Sequence, residues 1–342
     1  MAQPAATTVT VALAGDTMLG RGVGSRLRSP APGSLFSPEV VEVAGEADVF
    51  VADLECCISE RGERWPDPAK PFFFRAPPAA AEALAHLGVD CVTLANNHAL
   101  DYGPLALLDT LDHLRRVGIG VVGAGASVEE ARRPATLTIG GFRLGVMGLT
   151  DHPADYAAGP RTPGVAYADL RRQVPAWVRD GVGDTGADAV LVSPHWGPNM
   201  TRAPVAHVVA AARVIVEAGA TLVAGHSAHV FHGVAGRVLF DLGDFIDDYA
   251  VEPELRNDLG LLWLVTVGHD GPVRLEAVPL RLDLAHTRLA EGEDAAWIRR
   301  RFRRACAELG TDVHEHGGRL VVAYGDMSAE GGIFPPPASN QA

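Results

Sequence analysis

Five short apolar runs in this sequence end in side chains that bind metals. The run 8–14 leads into Gly15 and Asp16, and the run 49–54 leads into Asp53, Leu54 and Glu55. The run 92–95 is followed by Asn96, Asn97 and His98, and the run 189–194 by His195, Trp196 and Gly197. The segment 221–224 opens onto Gly225, His226, Ser227, Ala228 and His229. Asp, Glu, Asn and His form the mixed nitrogen and oxygen donor set that suits divalent Mn, Fe or Zn better than Mg or Ca. Each residue also has an ordinary explanation. An Asp after a strand often caps a helix, and a lone His in such a turn is often a hydrogen-bonded structural residue. The joint pattern outweighs these readings, because four of the thirteen histidines fall in Gly- or Asn-flanked turns behind apolar runs.

Such residues need a scaffold that brings five chain segments together. Strand patterns fall at 8–14, 49–54, 92–95, 119–122, 135–139, 143–148, 189–194, 221–224, 237–240, 261–267 and 273–282. Helical patterns fall at 79–87, 104–117, 167–179, 204–218 and 294–309, and two of these begin with proline (Pro104 and Pro204), which suits a first turn. In 204–218, Val205, Val208, Val209, Ala212, Ile215 and Val216 share one face, as expected of a helix lying on a sheet. Strand and helix alternate through the first two-thirds, which implies an α/β fold with a largely parallel sheet. Ligand sites in such folds lie at the carboxyl ends of the strands. Residues 62–78 read as a long covering loop, residues 286–326 as a C-terminal helical extension, and residues 1–7 and 327–342 as flexible ends, leaving 8–285 as the main domain.

Composition narrows the function. A formal net charge of −13 argues against a nucleic-acid partner, which needs a positive face. The basic run 299–304 has apolar neighbours at helical spacing and reads as a solvated helix face. No phosphate-binding glycine motif is present. Cys56, Cys57, Cys91 and Cys306 show no C-x-x-C spacing and read as buried free thiols. Residues 1–8 lack an apolar signal segment and no window is apolar enough to span a membrane, so the expectation is a cytoplasmic protein.

Six segments together carry a family resemblance: GDTMLGR (15–21), ADLE (52–55), NNHALDYG (96–103), HWG (195–197), GHSAHV (225–230) and DLGDF (241–245). In this order they resemble the CapA family of poly-γ-glutamate capsule biosynthesis, within the calcineurin-like metallophosphoesterase superfamily, over about residues 8–285. The resemblance implies a four-layer α/β/β/α metallophosphatase-like sandwich holding one or two divalent ions. It implies Asp16 and His229 as ligands of a first site, Asn97, His195 and His226 as ligands of a second, and Glu55 as the bridging carboxylate. His98 takes the place of the catalytic histidine and Asp101 that of its orienting carboxylate. Arg75, His152 and His232 are candidate substrate contacts, and Asp53 is a candidate support for the metal shell and the rival of Glu55, two residues away on the same strand face.

The sequence departs from the superfamily pattern at Asp16-Thr17-Met18, where Asp-x-His is usual, so the first site is one imidazole short. Two classes of function follow. One is a metal-dependent hydrolase or transferase acting on a phosphoester or a γ-glutamyl-type amide, with a small-molecule or peptide-like anionic substrate. The other is a non-catalytic metal-binding assembly factor for polyglutamate or a synthase partner.

Overall fold

A computed structural model describes residues 7–28 and 35–324. Its two large sheets arise from strands whose alternate side chains serve different cores. In the strand Thr8–Thr17, Val9, Val11 and Leu13 point one way and Ala12 and Ala14 the other. The strand Val49–Leu54 repeats this, with Val49 and Val51 on one side and Phe50 and Ala52 on the other. Both faces are buried, so these strands read as continuous apolar runs rather than alternating ones.

The first sheet has ten strands. At its centre Thr8–Thr17 pairs in parallel with Val49–Leu54, which pairs with Cys91–Thr93 and then Gly120–Val122. On its other side Thr8–Thr17 pairs antiparallel with Leu259–Gly268, which pairs with Gly271–Asp283. The second sheet has six strands and a parallel core of Phe142–Thr150, Ala189–His195, Leu222–Ala224 and Val238–Leu239.

Val9, Val11, Leu13, Val49 and Val51 meet Leu144, Val146 and Leu191 in the core between the sheets. The outer face of the first sheet is covered by helices including Ala79–Leu87 and Gly103–Arg116, with Leu84, Leu87, Leu107 and Leu111 in that core. The outer face of the second sheet is covered by Ala176–Gly183 and Ala206–Glu217, through Val178, Val182, Val208 and Ile215. Each fully buried Val or Ile contributes about 1.5–3 kcal/mol relative to exposure. These four layers are the α/β/β/α sandwich expected from the sequence.

Two expectations change. The helix expected over 167–179 occupies Ala176–Gly183 instead. Pro175 has no N–H and disfavours helical backbone at Val174, so the helix begins only after it. The segment from residue 286 is more than a helical extension. Besides the helix Gly292–Glu308 it supplies the strands His286–Leu289, His314–His316 and Arg319–Ala323, all in the first sheet. The helix itself inserts Ile298, Phe302 and Cys306 into the core between the sheets. The expected tail at 327–342 lies outside the described residues, as do residues 1–6. All four cysteines are buried free thiols, and no helix among the described residues is long and apolar enough to cross a membrane.

Candidate metal centre

The parallel strands of both sheets bring their carboxyl ends to one place. Asp16 sits near the end of the first strand, in register with Asp53 on one side and Asp244 on the other. The residue before it has to be glycine, because a Cβ at Gly15 would lie 2.0 Å from the Gly243 carbonyl oxygen. From the second sheet, His195 ends its strand and His226 follows Leu222–Ala224. A single bridge between His195 and His226 aligns these two ends. The loop carrying His226 and His229 is strained, with φ of 119° at Ser227 and 60° at His229, the kind of backbone found where a site dictates geometry.

Two groups of potential ligands result, and both contain Asp16. In the first, Asp16, Asp53, His195 and His226 present ligand atoms within 4.8 Å of one another. Nδ1 of His226 lies 3.6 Å from Asp16 Oδ1 and 3.4 Å from Asp53 Oδ2, and 2.9 Å from Nδ1 of His195. In the second, Nδ1 of His229 lies 2.9 Å from Asp244 Oδ1 and 3.1 Å from Asp16 Oδ2.

All of these side chains are buried, and their electrostatics are unbalanced. Burial pushes Asp53 and Asp244 well above the usual carboxylate range, and neighbouring carboxylates add to it. Burial raises Glu55 to about 8, again with Asp16 contributing. Burial also lowers His195 far below its ordinary value, with His226 beside it. In His229 burial acts downward too, but Asp244, Glu55 and Asp16 outweigh it and raise it well above its ordinary value. Carboxylates crowded this closely repel one another, and a cation among them relieves the repulsion.

The unsatisfied atoms fit a bound divalent ion. Both carboxylate oxygens of Asp16, Oδ2 of Asp53, Oδ2 of Asp244, Oε1 of Glu55, Oδ1 of Asn97 and Nε2 of His195 are buried without a hydrogen-bond partner. Buried polar atoms are otherwise almost always paired. The donor set is mixed imidazole and carboxylate, which suits Mn, Fe or Zn.

Beside the cluster stands an oriented imidazole. Nδ1 of His98 donates to Asp101 Oδ2 at 2.7 Å, and its Nε2 faces Glu55 Oε1 at 3.8 Å. Phe74 stacks on the His98 ring with centroids 4.0 Å apart. Asp101 is further held by Phe74 N at 2.5 Å, Lys70 Nζ at 3.0 Å and Tyr156 Oη at 3.2 Å. Burial lowers the pKa of His98, while Asp101 opposes the shift.

The expected residues are therefore placed as follows. Asp16, His195, His226 and His229 converge, and His98 and Asp101 pair. Asn97 lies in the same turn with a buried, unpartnered Oδ1. Glu55 stands outside both groups, between His98 and Tyr249, whose Oη donates to it at 3.0 Å. Asp53 takes the place in the first group. His152 borders the cluster, its ring 5.1 Å from that of His195 and its Nδ1 donating to Asp151 at 2.5 Å. Arg75 stacks on Tyr102 at 4.0 Å and donates to the Arg61 carbonyl, which is a loop-bracing role. His232 belongs to neither group, and its Nε2 donates to the Thr201 carbonyl at 2.8 Å.

Sequence reasoning assigned no role to Asp244, Tyr249, Lys70 or Phe74. Asp244 lies within the DLGDF segment, whose resemblance to the family was the signal that could have found it. The long loop at 62–78 covers the site with Lys70 and Phe74, in keeping with its apolar FFF run.

The family described as bacterial capsule synthesis protein PGA_cap matches residues 10–249. A probable polyglutamine synthesis accessory protein of Mycobacterium tuberculosis is 32% identical over 363 residues, an alignment covering 89% of this chain and 93% of that protein. The PGA biosynthesis protein CapA of Bacillus subtilis is 28% identical over 247 residues, covering 70% of this chain and 63% of its own. Among solved structures, a 5'-nucleotidase precursor of Thermus thermophilus aligns over 84% of this chain and 55% of its own, with a TM-score of 0.44 and 17% identity.

Proposed function

The chain belongs to the bacterial capsule synthesis protein family, and from that premise we propose that it is a metal-dependent hydrolase or transferase acting on a phosphoester or a γ-glutamyl-type amide. The observation that carries this reading is the pairing of two ligand groups that share Asp16 with an Asp101-oriented His98 at their edge.

In this reading Asp16, Asp53, His195 and His226 hold one divalent ion. Asp16, His229 and Asp244 hold a second, and Asn97 is available through Oδ1. Such an ion supplies Lewis acidity to a phosphoryl or carbonyl oxygen. The protein does the rest. Asp101 accepts from Nδ1 of His98 and stabilises its imidazolium form, in which Nε2–H gives its proton to the substrate's leaving group. Phe74 locks the ring plane and shields it from water. Lys70 offsets the charge of Asp101, and Tyr249 holds Glu55 beside the reacting region. His152, steered by Asp151, contacts the substrate from the His195 side. The names of the relatives, polyglutamine synthesis and PGA biosynthesis, support a glutamyl-type substrate.

The test is turnover of an aryl phosphodiester and of a γ-glutamyl dipeptide by the manganese-loaded chain. Turnover of either that is lost in His98→Asn supports the enzyme. A metal-loaded chain that turns over neither, yet binds oligoglutamate, supports the assembly-factor reading.

A further inference from the structure

The helix Gly292–Glu308 carries Arg299, Arg300, Arg301, Arg303 and Arg304, and the sequence reads them as a solvated face. Three of them meet carboxylates. Arg299 and Arg303 pair with Glu315 at 3.2 and 3.0 Å, and Arg304 pairs with Glu308 at 2.8 Å. Among the described residues Arg300 and Arg301 have no ion-pair partner.

Both unpaired arginines line the same cavity of about 350 Å³. Its charge is lopsided. Arg202, Arg300, Arg301 and Arg304 face only Glu254 and Glu308, and both acids are already engaged, Glu254 by Arg202 at 2.5 Å and Glu308 by Arg304. This surplus of positive charge stands on a chain whose net charge is −13.

Arg301 is the less usual of the two. Its guanidinium is half-buried, 5.4 Å from the Trp297 ring and 5.2 Å from the Phe231 ring. Its hydrogen bonds are long, 3.5 Å to each of the Leu255 and Phe231 carbonyls. Burial, with Arg202 nearby, pushes its pKa down to about 10 against an opposing pull from Asp241, so it stays charged at neutral pH. A charge half-withdrawn from water without a direct ion pair is costly, and Asp241 reaches Arg301 only as a more distant opposite charge.

We propose that this cavity is a carboxylate-binding site, separate from the metal centre, that takes a small dicarboxylate. Arg301 accepts one carboxylate on its planar fork, the geometry guanidinium matches best. Arg300 takes the second. Consecutive helical positions diverge by about 100° around the axis, so the two guanidinium groups reach the cavity from different directions. They suit two charges held apart by a short linker better than one compact phosphate. Trp297 offers an apolar surface for the linker.

Isothermal titration of the full chain with glutarate tests this. The expected result is saturable binding that is unchanged by prior treatment with a chelator. Arg301→Lys, which keeps the charge and loses the fork, should weaken it about tenfold or more. Arg300→Gln, at an exposed position, should weaken it about threefold. It carries the test should Arg301→Lys fold poorly, as judged by its melting curve. Inorganic phosphate, titrated in the same way, should bind more weakly than glutarate. The proposal is overturned by the absence of glutarate binding at about 10 mM, a concentration that would reveal even millimolar affinity. It is equally overturned by wild-type affinity in Arg300→Gln, by loss of binding on chelation, or by phosphate binding more tightly.

Discussion

Asp16 and Asp53 sit side by side on neighbouring parallel strands, and both approach Nδ1 of His226, at 3.6 and 3.4 Å. Asp53, and not Glu55, stands among the potential ligands that include both histidines, and we propose it as the carboxylate that holds the ion there. Asp53→Asn should therefore reduce bound metal sharply, while Glu55→Gln should leave it near wild type. Elemental analysis of both variants after manganese loading checks this. The reverse order would return Glu55 to the ligand set.

His98 touches Asp101 and reaches Glu55 but lies outside both ligand groups. His98→Asn should keep the metal content and lower turnover by about 10²–10⁴-fold, the usual range for loss of a general acid or base. Asp101→Asn should give a smaller loss in the same direction. Metal content, melting temperature and rate should be read on the same samples. If His98→Asn melts earlier yet turns over at the wild-type rate per folded molecule, the residue only pins its turn.

Asp244 accepts from Nδ1 of His229 and belongs to the second ligand group alone. Asp244→Asn should lower metal content by about one ion per chain and leave the group around His195 loaded. Asp16→Asn, at the shared carboxylate, should deplete both. Titration of manganese by electron paramagnetic resonance counts the sites, and equal losses in the two variants would argue against two groups.

Asp109 links the segment just before the covering loop to the helix that follows His98. Ser59 Oγ donates to it at 2.7 Å and Arg61 Nε at 3.0 Å, and the hydrogen bond from Arg61 leads in holding its pKa below the ordinary carboxylate value. A carboxylate lowered in the folded state stabilises it above the unfolded pKa, and that stability is lost as pH falls through the folded value. Asp109→Asn should thus be less stable than wild type at pH 7, with the difference shrinking below about pH 4. Urea unfolding at both pH values measures it, and a difference that persists in acid would contradict the assignment.

Much of this site was legible because Asp16, His195 and His226 stand at or just after the ends of apolar strands in sequence. The two-sheet sandwich followed from the alternation of strands and helices. Asp244 was hidden because it reaches Asp16 only through the parallel pairing of Asp244–Ile246 with the first strand. That contact joins distant parts of the chain and leaves no local periodicity. The choice between Asp53 and Glu55 was undecidable from spacing, since a period of two would put both on one strand face. The strand ends at Leu54, and only beyond it does the chain carry Glu55 toward His98. The C-terminal strands were missed for a similar reason. His314–His316 is a three-residue exposed strand, too short and polar to show a pattern.

We propose that the buried Asp and His residues at the strand ends form a divalent metal centre. Elemental analysis of the purified full chain, loaded with manganese and desalted beside His226→Ala, tests it most directly. The expected result is about one to two ions per wild-type chain and a sharp fall in the variant. Wild-type protein that retains no metal, or a variant that retains as much as wild type, would contradict it.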